Sequence, residues 1–303
     1  MTRLRPFALD RPASLEEVGA LLAEHGADAA LYAGGTELLL LLKAGLLRVQ
    51  RLIDLKRVPG LADITADDGT VVLGATARHR TVERSALLRE RCPLVAGVAR
   101  HVANVRVRHV GTVGGNLAFA DPHSDLATLF LALDAELTLW SRAGERRVAL
   151  ADFVRGPYET VRRDDEILTG VRLRPWPAGT VSAYLKFGVH ERPTLGVALA
   201  VTIGPDGAVA PARLSVGCVG PRPQRVPEFE REAAGRSVAE LAGRAAALAE
   251  AAADAVETTG DLHGSADYKR DMTRVFVRRA IEIVAARAAG EDPHARYPYT
   301  VVV

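Results

Sequence analysis

The chain is 303 residues long, 48% apolar and 25% charged, with a formal net charge of +2 at pH 7. That length can bury one large core or two of ordinary size. With aromatics at only 5% and lysines and arginines dispersed among acids, the basic stripe and stacking platform of a nucleic-acid binder are excluded. Met1-Thr2-Arg3-Leu4-Arg5-Pro6 leads to Asp10 and Arg11 rather than to an apolar signal segment, so a cytoplasmic location is the expectation. The apolar run 38–42 is too short to cross a bilayer.

In chain order the first region reads β-α-β-α-β. Pro6-Phe7-Ala8 is the first strand, and Ser14 with Glu17 makes a capping box that starts a helix. Leu31-Tyr32-Ala33 is a short buried strand. Residues 37–44 form a leucine helix stopped near Gly45, and 51–55 form the next strand. Asp67-Asp68-Gly69 turns a hairpin between 62–66 and 71–74. A helix around 93–102, an apolar helix over 125–133 and strands at 136–140, 146–150 and 166–174 follow. These are two α/β lobes joined near residue 56.

Arg174-Pro175-Trp176-Pro177-Ala178-Gly179 interrupts the patterns on both sides and marks the domain boundary, dividing the chain into 1–176 and 177–303. Beyond it, 182–190, 196–203 and 213–219 read as a three-stranded antiparallel meander with a turn at Gly204-Pro205-Asp206-Gly207. Two helical patterns, 238–257 and 265–289, complete an α+β chain. No internal repeat is evident.

Two glycine-paired segments carry the chemistry. Ala33-Gly34-Gly35-Thr36-Glu37 and Gly111-Thr112-Val113-Gly114-Gly115-Asn116 each offer backbone N–H groups that no Cβ blocks. Each precedes an apolar segment able to start a helix, whose N-terminal charge would supplement the amides. Together they read as opposite walls of a diphosphate site, and the expected ligand is a dinucleotide. For either segment alone, turn punctuation is the plainer alternative in a chain with 27 glycines. Gly34-Gly35 lacks the third glycine of G-x-G-x-x-G, and no G-x-x-x-x-G-K-[ST] occurs, which excludes an ordinary Rossmann site and a P-loop.

The segments Leu31-Tyr32-Ala33-Gly34-Gly35-Thr36-Glu37-Leu38, Arg108-His109-Val110-Gly111-Thr112-Val113-Gly114-Gly115-Asn116-Leu117-Ala118 and Asp121-Pro122-His123-Ser124-Asp125 resemble the FAD-binding medium subunit of molybdenum hydroxylases. This is the xanthine dehydrogenase, carbon monoxide dehydrogenase and aldehyde oxidase family. Glu166-Ile167-Leu168-Thr169 resembles its strand bordering the flavin ring, Tyr184-Leu185-Lys186-Phe187 the opening strand of its C-terminal domain, and Gly264-Ser265-Ala266-Asp267-Tyr268-Lys269-Arg270 the start of its last helix. The resemblance implies a two-lobed vanillyl-alcohol oxidase-type FAD domain with FAD held non-covalently between the lobes. It also implies electron transfer from partner subunits, a large one with the molybdenum cofactor and a small one with two [2Fe–2S] clusters, assembled as a dimer of heterotrimers.

Asp125 opens a helix, so it is either an N-terminal cap or dipole partner or, as the resemblance implies, the acceptor for ribityl hydroxyls. Lys186 is either a snorkelling surface lysine or, by resemblance, the cation near the pyrimidine end of the flavin. Strand alternation does not choose between Leu185 and Phe187 as its neighbours' face. Many relatives place an acid and then an aromatic after this lysine, whereas this chain has His190-Glu191-Arg192-Pro193-Thr194-Leu195. Glu37 reads as an outward first-turn residue, and Asp165 and Glu166 as solvated strand-edge charges.

Cys92 and Cys218 are too few for an iron–sulfur cluster and read as small buried apolar residues. His79, His101, His109 and His123 have no metal-ligand spacing and read as scattered polar histidines. No G-x-S-x-G elbow or other nucleophile constellation is present, which disfavours hydrolysis. A stand-alone FAD oxidoreductase, a NAD-binding Rossmann enzyme and a nucleotide-binding scaffold compete with the subunit reading.

Overall fold

The structure, a computed structural model, describes residues 4–188, 192–291, 293 and 297–303. Three main sheets organise it. The first is parallel, with Arg51–Asp54 between Ala8–Asp10 and Ala29–Tyr32. The first strand therefore begins two residues later than the sequence suggests; Pro6 has no N–H to give a ladder, and pairing starts when Ala8 N–H donates to Gln50 O at 2.8 Å. Ser14 caps the helix Leu15–His25 as expected, through its hydroxyl and the N–H of Glu17. The reciprocal bond differs: the Glu17 carboxylate accepts from Ala13 N–H rather than from that of Ser14. Val18, Leu22, Ile53 and Leu55 form a small core between this helix and the sheet.

The second sheet is antiparallel, in the order Ile64–Asp67, Thr70–Gly74, Ile167–Leu173, Glu136–Ser141, Gly144–Ala149. Its central strand carries a bulge between Leu168 and Gly170, which re-aims the local side chains. Helices His79–Arg84, Ala86–Arg91 and Val105–Val110 are additions to the sequence reading. Each is six residues long, too short to show a periodic apolar stripe.

The third sheet contains the expected meander, Thr180–Phe187, Leu195–Ile203 and Val209–Gly217, but has five strands. Gln224–Arg225 and Thr300–Val302 close its two edges. One face, with Leu185, Val197, Leu199, Leu214 and Val216, packs on helices Ala245–Ala255 and Ala266–Ala288. The long pattern 238–257 is in fact two helices, Val238–Gly243 and Ala245–Ala255, and Pro227–Ala233 precedes them. The opposite face is lined by small residues and receives the helix Asp125–Ala132, all eight residues of which are buried. A Cβ at Gly217 would overlap Thr128 Oγ1, and one at Gly196 would overlap the Tyr184 hydroxyl. These two glycines let the helix lie close to the sheet, where Ser215 Oγ donates to Thr128 O at 2.7 Å. Each fully buried Leu or Phe on this helix contributes roughly 1.5–3 kcal/mol.

Candidate functional site

A cleft of about 750 Å³ opens between the loop after Tyr32 and the segments around residues 75–79, 102–126 and 162–168. That volume is in the range of cofactor sites. Leu31, Ala33, Gly34, Gly35, Thr36, Glu37 and Leu38 all line it. Gly35 sits at φ +72, where a Cβ would overlap the Tyr32 ring. Tyr32 itself lies below the loop, under the Lys56 ammonium at 3.9 Å from the ring centroid. The helix Leu38–Ala44 leaves the loop and stops at Gly45, in the left-handed region at φ 74. No described residue accepts from the N–H groups of Gly34, Gly35, Thr36, Glu37 or Leu38, so this loop presents a run of free amide donors to the cleft, as its sequence suggests.

The second glycine pair is built differently. Gly114 and Gly115 are not in a loop but in the first turn of the helix Val113–Phe119, capped by Thr112. The amides here are already taken: Val113 N–H donates to Ala77 O at 2.9 Å, Gly114 N–H to Ala75 O at 2.8 Å and Gly115 N–H to Thr112 Oγ1 at 3.2 Å. Gly114 is small because the chain at Ala75 lies against it, 2.8 Å from where a Cβ would be. Val113 is fully buried in the core. Thr112, Gly114, Gly115 and Asn116 still form cleft wall, so this segment offers close approach and side chains rather than free N–H groups. The two segments also touch: a Cβ on Gly34 would overlap the Val110 carbonyl and fall 2.8 Å from Gly111 Cα.

Asp125 and Leu168 also line the cleft, Leu168 lying beside the bulge of its strand. Asp125 is not the cap of its helix; Ser124 is, with its hydroxyl accepting from Ala127 N–H at 3.0 Å. The Asp125 carboxylate is 5% exposed and accepts from the Tyr184 hydroxyl at 2.9 Å and from Lys186 Nζ at 2.6 Å. Lys186 also donates to His101 O at 2.9 Å. It is therefore neither a surface lysine nor part of the cleft lining; it stands behind Asp125, on the face of its strand that Tyr184 shares. Burial pushes the Tyr184 hydroxyl well above its ordinary pKa, and the Asp125 charge adds to this.

Glu166 corrects a second expectation. It is 1% exposed and accepts from Arg146 Nε at 2.6 Å, Arg146 Nη2 at 2.9 Å and Arg163 N–H at 2.8 Å. The hydrogen bond from Arg146 leads in holding its carboxyl below the usual range. Glu37 does not simply face solvent, since Arg192 joins it at 3.1 Å to Asp121, also at 3.1 Å. His190 and Glu191 lie outside the described residues.

The sequence reading passed over a polar chain at the cleft mouth. His123 places Nδ1 3.2 Å from Asp121 and Nε2 2.9 Å from Asp261, and the buried Lys269 donates to Asp261 at 2.6 Å. Burial alone would raise the Asp121 pKa, but bonding to His123 and the Arg192 charge bring it below its ordinary value. Asp261 precedes the last helix and Lys269 lies in its first turns, so it is residues 261–263, with Asp261 held by Lys269, that meet His123. Cys92 and Cys218 are buried and free, with burial pushing Cys92 up to about 11. Among the described residues no His, Cys, Asp or Glu cluster is placed to hold a metal, and no helix is long and apolar enough to cross a membrane.

The comparisons with known proteins concern the same regions. The family described as "FAD binding domain in molybdopterin dehydrogenase" matches residues 5–176, and "CO dehydrogenase flavoprotein C-terminal domain" matches 188–284. The carbon monoxide dehydrogenase medium chain of Hydrogenophaga pseudoflava is 33% identical, over 93% of this chain and 98% of its own. Subunit alpha of the 6-hydroxypseudooxynicotine dehydrogenase complex of Paenarthrobacter nicotinovorans is 32% identical, over 91% and 93%. A chain in the crystal structure of quinoline 2-oxidoreductase from Pseudomonas putida 86 superposes with a TM-score of 0.88 at 30% identity, covering 95% of this chain and 99% of that one.

Proposed function

Given that this chain belongs to the FAD-binding medium subunits of the molybdenum hydroxylases, we propose that the cleft holds FAD between residues 31–38 and 111–116 and that the chain is the electron-transfer flavoprotein subunit of an oxidoreductase complex. The observation that carries the site is the run of unpaired N–H groups at Gly34–Leu38, which faces a cleft wall formed by Thr112, Gly114, Gly115 and Asn116. When bound, FAD supplies the redox chemistry, taking electrons from partner centres and yielding them to an external acceptor. The amides of 34–38 would hold the diphosphate. Asp125 would accept from ribityl hydroxyls with whichever lone pairs Tyr184 and Lys186 leave, while the Lys186 ammonium holds that carboxylate in place. Leu168 would shield the ring from water.

We take 1–176 as the FAD-binding domain, with lobes of about 1–56 and 57–176, and 177–303 as the flavoprotein C-terminal domain. The molybdenum cofactor and [2Fe–2S] clusters belong to a large and a small partner subunit; a dimer of heterotrimers in the cytoplasm is the assembly we infer. The chain has two cysteines, too few to ligate a [2Fe–2S] cluster of its own, so its flavin is filled from a partner. The test is anaerobic absorbance of the FAD-loaded chain with purines, aldehydes, carbon monoxide and N-heterocycles. The flavin should stay oxidised until the two partner subunits are added, while a chemical reductant bleaches it at once. Rapid bleaching of the isolated chain by one of these substrates would establish the stand-alone oxidoreductase instead.

A further inference from the structure

The turn after the central strand of the first sheet brings a cation back onto the first glycine loop. Tyr32 and Asp54 are register partners on adjacent parallel strands, and the Asp54 carboxylate accepts from Lys56 N–H at 3.1 Å, capping the short turn Leu55–Arg57. That turn lays the Lys56 side chain over the end of Ala29–Tyr32. Its ammonium donates to Ala33 O at 3.0 Å, lies 2.7 Å from Asp54 Oδ1 and stands 3.9 Å from the centroid of the Tyr32 ring. Three contacts of different kinds thus fix one cation, and Asp54, their anchor, is only 6% exposed.

The Ala33 carbonyl belongs to the same peptide as the Gly34 N–H. Among the described residues the one cis bond is Ala210–Pro211, so this peptide is trans, and a planar trans peptide points its N–H opposite to its C=O. Holding the carbonyl toward Lys56 therefore turns the Gly34 N–H away from Lys56. Ala33 and Gly34 line the cleft and Lys56 does not, and no described residue accepts from that N–H. Gly34 has no Cβ to restrict its backbone, so an external restraint decides the direction of its amide. A cation on the carbonyl also polarises the peptide and strengthens the N–H as a donor. Since the Lys56 side chain is 36% exposed, solvent screens its charge at a distance, and its influence on the cleft runs through this peptide.

We propose that Lys56 is a positioning residue for the diphosphate: by holding the Ala33 carbonyl it aims the Gly34 N–H at the anion, an inference that rests on the FAD reading above. The full-length chain, stripped of flavin, is followed in two ways. The Ala33 carbonyl and Gly34 amide resonances are recorded by NMR without ligand, and affinities for FAD and for ADP, which shares the diphosphate but has no flavin ring, are measured by calorimetry. Lys56→Met removes the donor, and Lys56→Arg keeps one. The Met variant should move the Ala33 carbonyl resonance upfield and lose about five- to tenfold in affinity for both ligands. The Arg variant should stay within about threefold of wild type for both.

Unchanged affinities in Lys56→Met would overturn the proposal, as would an equal loss in Lys56→Arg, a loss confined to FAD, or a loss without movement of the two resonances. If Lys56→Met fails to fold, the same substitution combined with Asp54→Asn, which strands no carboxylate, takes its place with the same expectations. Failure of the wild-type chain to bind FAD would overturn the FAD reading itself, whereas the resonances of the unliganded chain report on the hold of Lys56 over Ala33 in either case.

Discussion

Asp125 and Lys186 form a pair that must be tested together. With side chains 4% and 9% exposed, neither charge is well solvated, and removing one partner strands the other, which typically costs 3–5 kcal/mol. Asp125→Ala should therefore lower the unfolding free energy by about that much, besides weakening FAD. Combining Asp125→Leu with Lys186→Met should recover most of the stability but not the FAD affinity. Additive losses in a urea-denaturation double-mutant cycle would show that the pair is not coupled in solution. The glycines separate in the same way. Gly34→Ala forces its Cβ into the Val110 carbonyl, so loss of FAD should come with about 1–3 kcal/mol of lost stability. At Gly115 a Cβ meets only Thr112 Oγ1, at 2.8 Å, and Gly115→Ala should cost less than half as much in the same assay.

At the scale of elements, the fold depends on contacts between distant pieces of chain. The edge strand Thr300–Val302 pairs with Thr180–Phe187, and Val303 N–H and O both bond Tyr184, at 2.9 and 3.0 Å. The Val303 side chain then fills the space over Gly97, where a Cβ would overlap Cγ1. Gly97→Val should lift this edge strand while leaving the sheet centre intact. Hydrogen exchange would show it as faster exchange at residues 184 and 300–303, against unchanged protection in Leu195–Ile203. A nearer capping effect is expected at Ser237, whose side chain and that of Glu240 satisfy each other's backbone N–H in a capping box. Ser237→Ala should cost about 1 kcal/mol, read as a lowered thermal midpoint.

The whole molecule should show a two-stage loss of stability in acid. His79 has its pKa lowered from 6.5 to about 4 in the folded chain, so between those values the unfolded state binds the proton and the folded state refuses it. This contribution is complete above pH 6.5 and is lost as pH falls toward 4, amounting to roughly 3 kcal/mol at about 1.4 kcal/mol per pH unit. Glu166 lies below its ordinary value of 4.5, so its stabilisation holds above that pH and is lost on further acidification. Denaturation midpoints of wild type and His79→Gln, followed from pH 7.5 to 5, should converge as pH drops. Parallel curves would mean that His79 is not buried as a neutral ring.

The sequence by itself determined what is local. The strand, glycine turn and leucine helix around Gly34 could be read because backbone conformation and a C-capping glycine are properties of adjacent residues; the hairpin at Asp67-Asp68-Gly69 and the meander beyond Gly179 were legible for the same reason. The order of these motifs was enough to identify the family. Only the tertiary structure decided how they are used. Nothing near Val113 and Gly114 in sequence announces that the carbonyls of Ala77 and Ala75 will take their amides, or that Arg146 will bury Glu166. Lys186 faced two ways until the small residues Gly196, Ser215 and Gly217 admitted a helix to one side of the sheet and brought Asp125 under its ammonium. Such pairings join residues tens of positions apart, and their energies depend on burial and distance, which a chain acquires only when it folds.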